Sequence, residues 1–271
     1  MTPRLQQFGL SLVELMVAVA AGMIVVLGVT TIYISTISSS ADTLKQSRLN
    51  QELTAIMSVM TNDIRRAGIW QGAGTTRYTE PQSNPFAARS NTALTIIKQS
   101  SNTTINPFDA TTWPGASSGD CILYAYDSPN AGTLGTLDNT DIFGFRLNNG
   151  VVQMRSQGDV SATNNDLCTT GAWADMSDAQ AITITNLTFD MINSACVNTA
   201  EPNGVDNNGT GGIDDAAEKN CYSVAPSSGD ITSQTHQIDI TITGQVNNTP
   251  LLRSTLKQSV RVRNDLVLTT P

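Results

Sequence analysis

Apolar residues dominate the N-terminal part of the chain, where a run of twenty residues from Leu15 to Ile34 carries no charge. A helix of this length and composition crosses the hydrocarbon core of a bilayer, so residues 10–34 are predicted to form a transmembrane or filament-core helix. A secretory signal peptide has a shorter apolar stretch that precedes its cleavage site. Here the small residue Gly9 comes before the apolar run, and cleavage after it would leave the anchor attached.

Helical periodicity continues through residues 35–67. Apolar residues recur at spacings of three to five positions, at Leu44, Leu49, Leu53, Ile56, Met57, Met60 and Ile64. This spacing predicts an amphipathic helix with one face on a protein core. The helix is predicted to end at Arg65–Gly68, where two cations favour a helix C-terminus and Gly68 suits the left-handed cap position.

From residue 68 onwards the pattern changes to strands separated by turn clusters. The predicted strands are Ala93–Lys98, Cys121–Tyr126, Ile142–Leu147, Val151–Arg155, Ala181–Ile192, His236–Val246 and Leu251–Asn264. Hairpins are predicted at Asn148–Gly150 and Asn247–Pro250. Alternating apolar residues predict a sheet with one face on the helix and one in water. The predicted fold class is α+β, with residues 68–271 as one β-rich head domain on an antiparallel sheet.

Charge and composition argue against several classes of function. The net charge of -8 and pI near 4.5, without a cluster of Lys and Arg, argue against nucleic-acid binding. The single histidine, His236, leaves no His-rich zinc site and little scope for a His-dependent catalytic triad. It is expected to be solvent-exposed at the start of a strand. The protein is therefore predicted not to be an enzyme.

Four cysteines, Cys121, Cys168, Cys196 and Cys221, lie in the second half of the chain. An even count in an exported protein predicts two disulfides, with three formal pairings. Sequential pairing, Cys121 to Cys168 and Cys196 to Cys221, is favoured because each bridge would close a loop rich in Gly, Asn and Asp. Four free thiols in a cytosolic protein are the alternative.

A single carboxylate, Glu14, stands at the start of the apolar helix. A charge inside a membrane helix is costly without a cationic or hydrogen-bonding partner, so its presence indicates a function. The alternative is that Glu14 extends to the lipid headgroups as an ordinary interfacial residue.

The segment Gly9-Leu10-Ser11-Leu12-Val13-Glu14 resembles the prepilin signature of the type IV pilin family. That resemblance implies a leader peptide at residues 1–9, which a prepilin peptidase removes between Gly9 and Leu10 before methylating the amine of Leu10. Leu10 stands where the family more usually has Phe. The resemblance also implies that Glu14 pairs, on assembly, with the N-terminal amine of a neighbouring subunit.

Further segments resemble the PilW-type minor pilins, namely Asn62–Trp70, Cys121–Asp127, Ile184–Phe189 and Val260–Asp265. The implied protein crosses the inner membrane once, carries a periplasmic head, primes pilus assembly at or near the tip and becomes extracellular in the pilus. The implied partners are other minor pilins, the major pilin, the prepilin peptidase and a tip adhesin. The related GspJ-type pseudopilins of type II secretion are the second interpretation. Membrane-anchored hydrolases and periplasmic sensors are alternatives of other classes.

Residues 201–218, between two of the cysteines, form an acidic loop. Asp206, Asn208 and Thr210 alternate as they do in a calcium-binding loop, and Gly211 stands where such a loop turns sharply. The loop resembles the first nine positions of an EF-hand but has Ala217 at the twelfth. The predicted calcium ligands are Asp206, Asn208, Thr210, Gly212, Asp214, Asp215 and Glu218. The alternative is a flexible acidic loop held by its disulfide without an ion.

Overall fold

The computed structural model describes residues 11–70, 83–87, 92–105, 117–129, 133–161 and 168–270. It divides the chain into two compact units, Met1–Arg48 and Leu49–Pro271. One α-helix, α1 (Leu12–Ile64), begins in the first unit and ends in the second. The predicted leader, with Gly9 and Leu10, lies outside the described residues.

In the first unit, α1 exposes its apolar side chains, as Leu12 at 76% and Ile24 at 71% illustrate. Among the described residues α1 is the one helix long and apolar enough to cross a membrane. The hydroxyls of Thr30, Thr31 and Thr36 donate to carbonyls one turn back in the same helix. These bonds satisfy polar groups without water, as an apolar environment requires.

In the second unit, α1 buries the predicted apolar face, namely Leu49, Leu53, Ile56, Met57, Met60 and Ile64. The prediction for Leu44 was wrong, because this residue is 72% exposed and the buried face begins at Leu49. The helix ends at Ile64, three residues before the predicted end. The predicted cap is confirmed, since Gly68 has a φ of +74°, which glycine adopts without strain.

Among the described residues, the second unit contains three antiparallel sheets. The strands are β1 (Thr95–Lys98), β2 (Thr103–Thr104), β3 (Ser118–Gly119), β4 (Cys121–Ala125), β5 (Ile142–Asn148), β6 (Val151–Gln157), β7 (Ala172–Asp175), β8 (Ile182–Asp190), β9 (Ala195–Asn198), β10 (Ile231–Thr235), β11 (Gln237–Val246), β12 (Thr249–Arg261) and β13 (Leu266–Thr269). Their spatial orders are β2-β1-β4-β5-β6-β7, β12-β11-β8-β3 and β13-β10-β9.

The main core lies between α1 and the inner faces of the two larger sheets. On β11 every second residue is buried, including Ile238, Ile240 and Ile242, as the alternation predicts. Gly244 continues this inward-facing series. A Cβ there would approach Leu49 and Leu53 to 3.1 Å, so the absence of a side chain lets the helix approach the strand closely.

The α+β prediction is confirmed, including both disulfides, which join Cys121 to Cys168 and Cys196 to Cys221. The hairpin at Asn148–Gly150 is also confirmed, with left-handed φ values of 49° at Asn149 and 80° at Gly150. The three-stranded sheet was not predicted. Its strands are only four or five residues long, which is too short for apolar alternation to mark them.

Candidate functional site

The pilin-like signature of the sequence falls at the beginning of α1. The side-chain hydroxyl of Ser11 accepts a hydrogen bond from the backbone N–H of Glu14 at 3.2 Å, which is the geometry of a helix N-cap. Glu14 is exposed and is the one acidic residue in the first turn. This arrangement leaves the Glu14 carboxylate accessible to a group from outside the chain.

A second candidate site is the joint at which α1 ends on β4. Asp63, with 9% of its surface exposed, accepts hydrogen bonds from the hydroxyls of Tyr124 at 2.6 Å and Tyr126 at 2.9 Å. Arg66 donates to the Tyr126 hydroxyl at 3.1 Å and lies 4.0 Å from the centre of the Tyr126 ring. Burial first, and then the Asp63 charge, raise the pKa of both tyrosines above the usual range. They therefore remain protonated hydrogen-bond donors.

Backbone contacts extend this joint to the end of the chain. The Gly68 N–H donates to the carbonyl of Ala125 at 2.8 Å. The Arg263 N–H donates to the carbonyl of Arg65 at 3.2 Å, and the Asn264 amide donates to the carbonyl of Ala67 at 3.1 Å. Polar backbone groups at the end of the helix are thus satisfied by the last residue of β4 and by the segment after β12.

Three of the four segments that resemble minor pilins therefore meet at one place, which we call the helix–sheet joint (residues 63–68, 124–126 and 263–264). The fourth, Ile184–Phe189, belongs to β8, whose Ile184, Leu187 and Phe189 lie in the core. The structural role of these segments is to hold α1 on the sheets.

His236 lies next to the helix–sheet joint, and its predicted exposure was wrong. The residue connects β10 to β11 and is 4% exposed. It lines a small cavity with Gly68, Phe86 and Leu266. Burial lowers the pKa of His236 to about 4, although the charge of Asp265 opposes this decrease. The side chain is therefore neutral near pH 7.

Hydrogen bonds between residues of the loop 201–218 hold its acidic side chains in place. Carboxylate oxygens of Glu201, Asp214 and Glu218 lie within 4.8 Å of one another. Glu218 is 1% exposed and accepts from the backbone N–H groups of Asn207 and Asp215 at 2.6 and 3.1 Å. This group of three carboxylates is the arrangement in the loop that suits a hard cation.

Of the seven predicted calcium ligands, only Asp214 and Glu218 belong to this group of carboxylates. Asp206 accepts from the Gly209 N–H, and Asn208 accepts from both donors of Thr210. These residues, with Gly212 and Asp215, belong to turns around the group. A hydrogen bond from the Asn208 amide lowers the pKa of Asp215, and one from the Ala217 N–H lowers it to a smaller extent. Glu201, which lies five residues before the recognised motif, belongs to this group but was not among the seven predicted ligands.

The family model of prepilin peptidase-dependent protein B matches residues 42–262 of the chain. No curated protein and no solved structure matches. The family match begins after the Gly9–Glu14 signature, so the two observations are independent of each other. It covers the amphipathic half of α1 and the strands from β1 to β12. The chain therefore belongs to the prepilin peptidase-dependent protein B family and is a prepilin-processed, type IV pilin-like protein.

Proposed function

We propose that this protein is a PilW-like minor pilin that primes assembly of the type IV pilus and stays at or near its tip. The observation that carries the proposal is an exposed apolar helix that has Glu14 in its first turn and follows the cleavage-type glycine Gly9. In this proposal the helix holds the precursor in the inner membrane, with the head in the periplasm. After processing, the protein becomes part of an extracellular pilus.

Two properties of α1 support the proposal. Large apolar side chains are exposed on all sides of the helix between Leu12 and Ile37, and such a surface requires lipid or other apolar helices as cover. Glu14 has no cation within the described residues of its own helix turn. We propose that the amine of Leu10 of a neighbouring subunit supplies the positive charge when the helices assemble.

We propose a structural role without enzymatic activity. The buried, neutral state of His236 supports this view, because its low pKa and its packing remove it from solvent. The partners proposed are other minor pilins, the major pilin and a tip adhesin, in addition to the prepilin peptidase.

We also propose that calcium binds to the loop 201–218, with Glu201, Asp214 and Glu218 as acidic ligands. Their proximity supports the proposal, as does the absence of Lys and Arg from the sequence between Arg155 and Lys219. A cation would relieve the repulsion between the three carboxylates.

The test is complementation of a deletion strain, with pilus assembly and type II secretion measured side by side. We expect the deletion to lose surface pili and to keep secretion. The wild-type gene should restore pili, whereas Gly9→Leu should block processing and Glu14→Gln should be processed without restoring pili. Asp42→Asn is the matched control, since Asp42 is an exposed carboxylate of the same helix beyond the apolar run.

Two outcomes would contradict the minor-pilin proposal. Normal pili with failed secretion would instead indicate a GspJ-like pseudopilin. A deletion with neither defect would favour a sensor or binding protein.

A further inference from the structure

The strand β12 forms one edge of the four-stranded sheet. It is 13 residues long and pairs with β11 from Thr249 to Arg261. In the part of the chain that the structure describes, no strand pairs with its other side. An edge strand of this kind presents a row of backbone N–H and C=O groups to any extended chain beside it.

The outward-facing side chains of β12 carry a row of positive charges. Arg253, Lys257 and Arg261 are exposed and lie on the face opposite the core, since their β11 neighbours alternate with the buried isoleucines. Successive cations are four residues, or about 13 Å, apart along the strand. This distance exceeds the Debye length of about 8 Å at physiological ionic strength. The cations therefore act largely independently of one another. Arg261 is in an ion pair with Asp265 at 3.9 Å, so Arg253 and Lys257 are the cations that a docked carboxylate would meet.

A groove lies between α1 and β12. It encloses about 410 Å³. Its walls are Thr54, Met57, Ser58, Thr61, Asn62 and Arg65 of the helix end and Leu256, Lys257 and Gln258 of the strand. The lining includes two cations and no carboxylate, so the groove suits small polar or apolar side chains and disfavours a second row of positive charge.

We propose that β12 is a docking edge for an extended acidic segment of a neighbouring pilin subunit. The segment pairs with the free backbone edge of β12, as in other cases of strand addition. Its carboxylates lie opposite Arg253 and Lys257, and its alternate side chains enter the groove. This inference rests on the proposed function, because that function supplies neighbouring subunits.

Two observations select this occupant. The open edge selects an extended backbone rather than a helix. The row of cations, on a chain with a net charge of -8, selects carboxylates by charge complementarity. The competing explanation is that the cations serve only to keep other strands away from the edge, which predicts that β12 contacts no partner.

The first experiment places a photo-crosslinking amino acid at Gln258 of the full chain, in cells that assemble pili. Gln258 is exposed and lines the groove. The matched control is Ala174, an exposed residue on β7, which is the edge strand of the six-stranded sheet. We expect Gln258 to form an adduct with another pilin, within a peptide that has acidic residues four positions apart, and Ala174 to form none with that peptide.

The second experiment tests the charges. The double variant Arg253→Glu/Lys257→Glu should lower the adduct yield about tenfold, because it replaces two cross-strand attractions with repulsions. Lys98→Glu, which changes an exposed lysine on β1, should leave the yield unchanged. Exchange of the mapped acidic residues for lysines should restore the adduct of the double variant. The single variant Lys257→Gln should lower the adduct yield by a smaller factor. It provides the test if the double variant does not fold.

The inference is overturned if Gln258 forms no adduct, or forms one that charge reversal does not change. It is also overturned if the adduct is with lipid or with a second copy of this chain. These failures are distinct from failure of the proposed function, which is decided by the pili of the deletion strain and of the Gly9 and Glu14 variants.

Discussion

At the scale of single residues, His236 is a side chain whose pKa the fold shifts strongly. Its pKa falls to about 4 from the ordinary 6.5 because burial disfavours the charged ring. The unfolded chain therefore binds more protons than the folded one between these two pH values. Stability from this residue is fully present above about pH 6.5, decreases as the pH falls, and is lost below about pH 4.

We expect the free energy of unfolding of the wild type to decrease by about 3 kcal/mol more than that of His236→Gln between pH 7 and pH 4. The variant lacks the titrating ring but keeps a polar side chain of similar length. Urea unfolding at several pH values measures the difference. Parallel pH profiles for the two proteins would show that His236 titrates normally in the folded state.

The calcium proposal also depends on individual side chains. At 1 mM calcium and a dissociation constant near 0.1 mM, binding would stabilise the protein by about 1.4 kcal/mol and raise its Tm by about 3–5 °C. Asp214→Asn should abolish this increase while keeping an oxygen that accepts the N–H groups of Asn203 and Gly204.

The matched control for calcium is Asp206→Asn, because Asp206 lies outside the group of three carboxylates. This variant should keep the increase in Tm. If Asp206→Asn abolished it instead, the EF-hand-like ligand set would be supported over the three-carboxylate set. If calorimetry detected no calcium binding at millimolar concentration, the proposal of a calcium site would be wrong.

At the scale of secondary-structure elements, the contact between α1 and β4 depends on one carboxylate shared by two tyrosines. Asp63 belongs to the last turn of the helix, while Tyr124 and Tyr126 belong to β4 and the residue after it. Both tyrosines are buried. Removing the carboxylate therefore leaves two hydroxyl groups without their acceptor in an apolar environment.

We expect Asp63→Ala to lower the free energy of unfolding by about 3–4 kcal/mol, since buried unsatisfied groups cost about 1–3 kcal/mol each. Chemical denaturation measures this change. The triple variant Asp63→Ala/Tyr124→Phe/Tyr126→Phe serves as the control, because it removes the hydroxyls together with their acceptor. It should be more stable than Asp63→Ala alone; an equal or lower stability would contradict a hydrogen-bond origin.

At the scale of the whole molecule, the two compact units differ in the exposure of their apolar residues. The first exposes an apolar helix, and the second, Leu49–Pro271, encloses a core of its own. Both disulfides lie in this second unit, and each ties a polar loop to a strand. They bridge 47 and 25 residues, distances over which a covalent link restricts the unfolded chain substantially.

We expect Cys121→Ala/Cys168→Ala to lose about 4 kcal/mol of stability, and Cys196→Ala/Cys221→Ala about 3.5 kcal/mol, from loop-closure entropy. Thermal unfolding of the full chain measures the two losses, each equivalent to a decrease in Tm of about 10 °C. A reductant should destabilise the wild type more than either double variant. Equal Tm values for wild type and variants would show that the bridges do not constrain the unfolded state.

The sequence alone determined the features that local interactions encode. The helix α1, its apolar face, the Gly68 cap and the hairpin turn at Asn149–Gly150 follow from periodicity and from the backbone preferences of glycine and asparagine. The long strands β8, β11 and β12 follow from alternation. The prepilin-like signature is likewise continuous in sequence, so Glu14 and its neighbours were recognisable without a structure.

Tertiary structure alone decided the features that depend on residues distant in sequence. The strands β9, β10 and β13 are short, and they form because each finds a pairing partner. Asp63 meets tyrosines about sixty residues away, and Glu201 joins Asp214 and Glu218 only when the loop folds back. His236 is also buried by packing between segments that are distant in sequence, so its immediate neighbours in the chain do not reveal its burial.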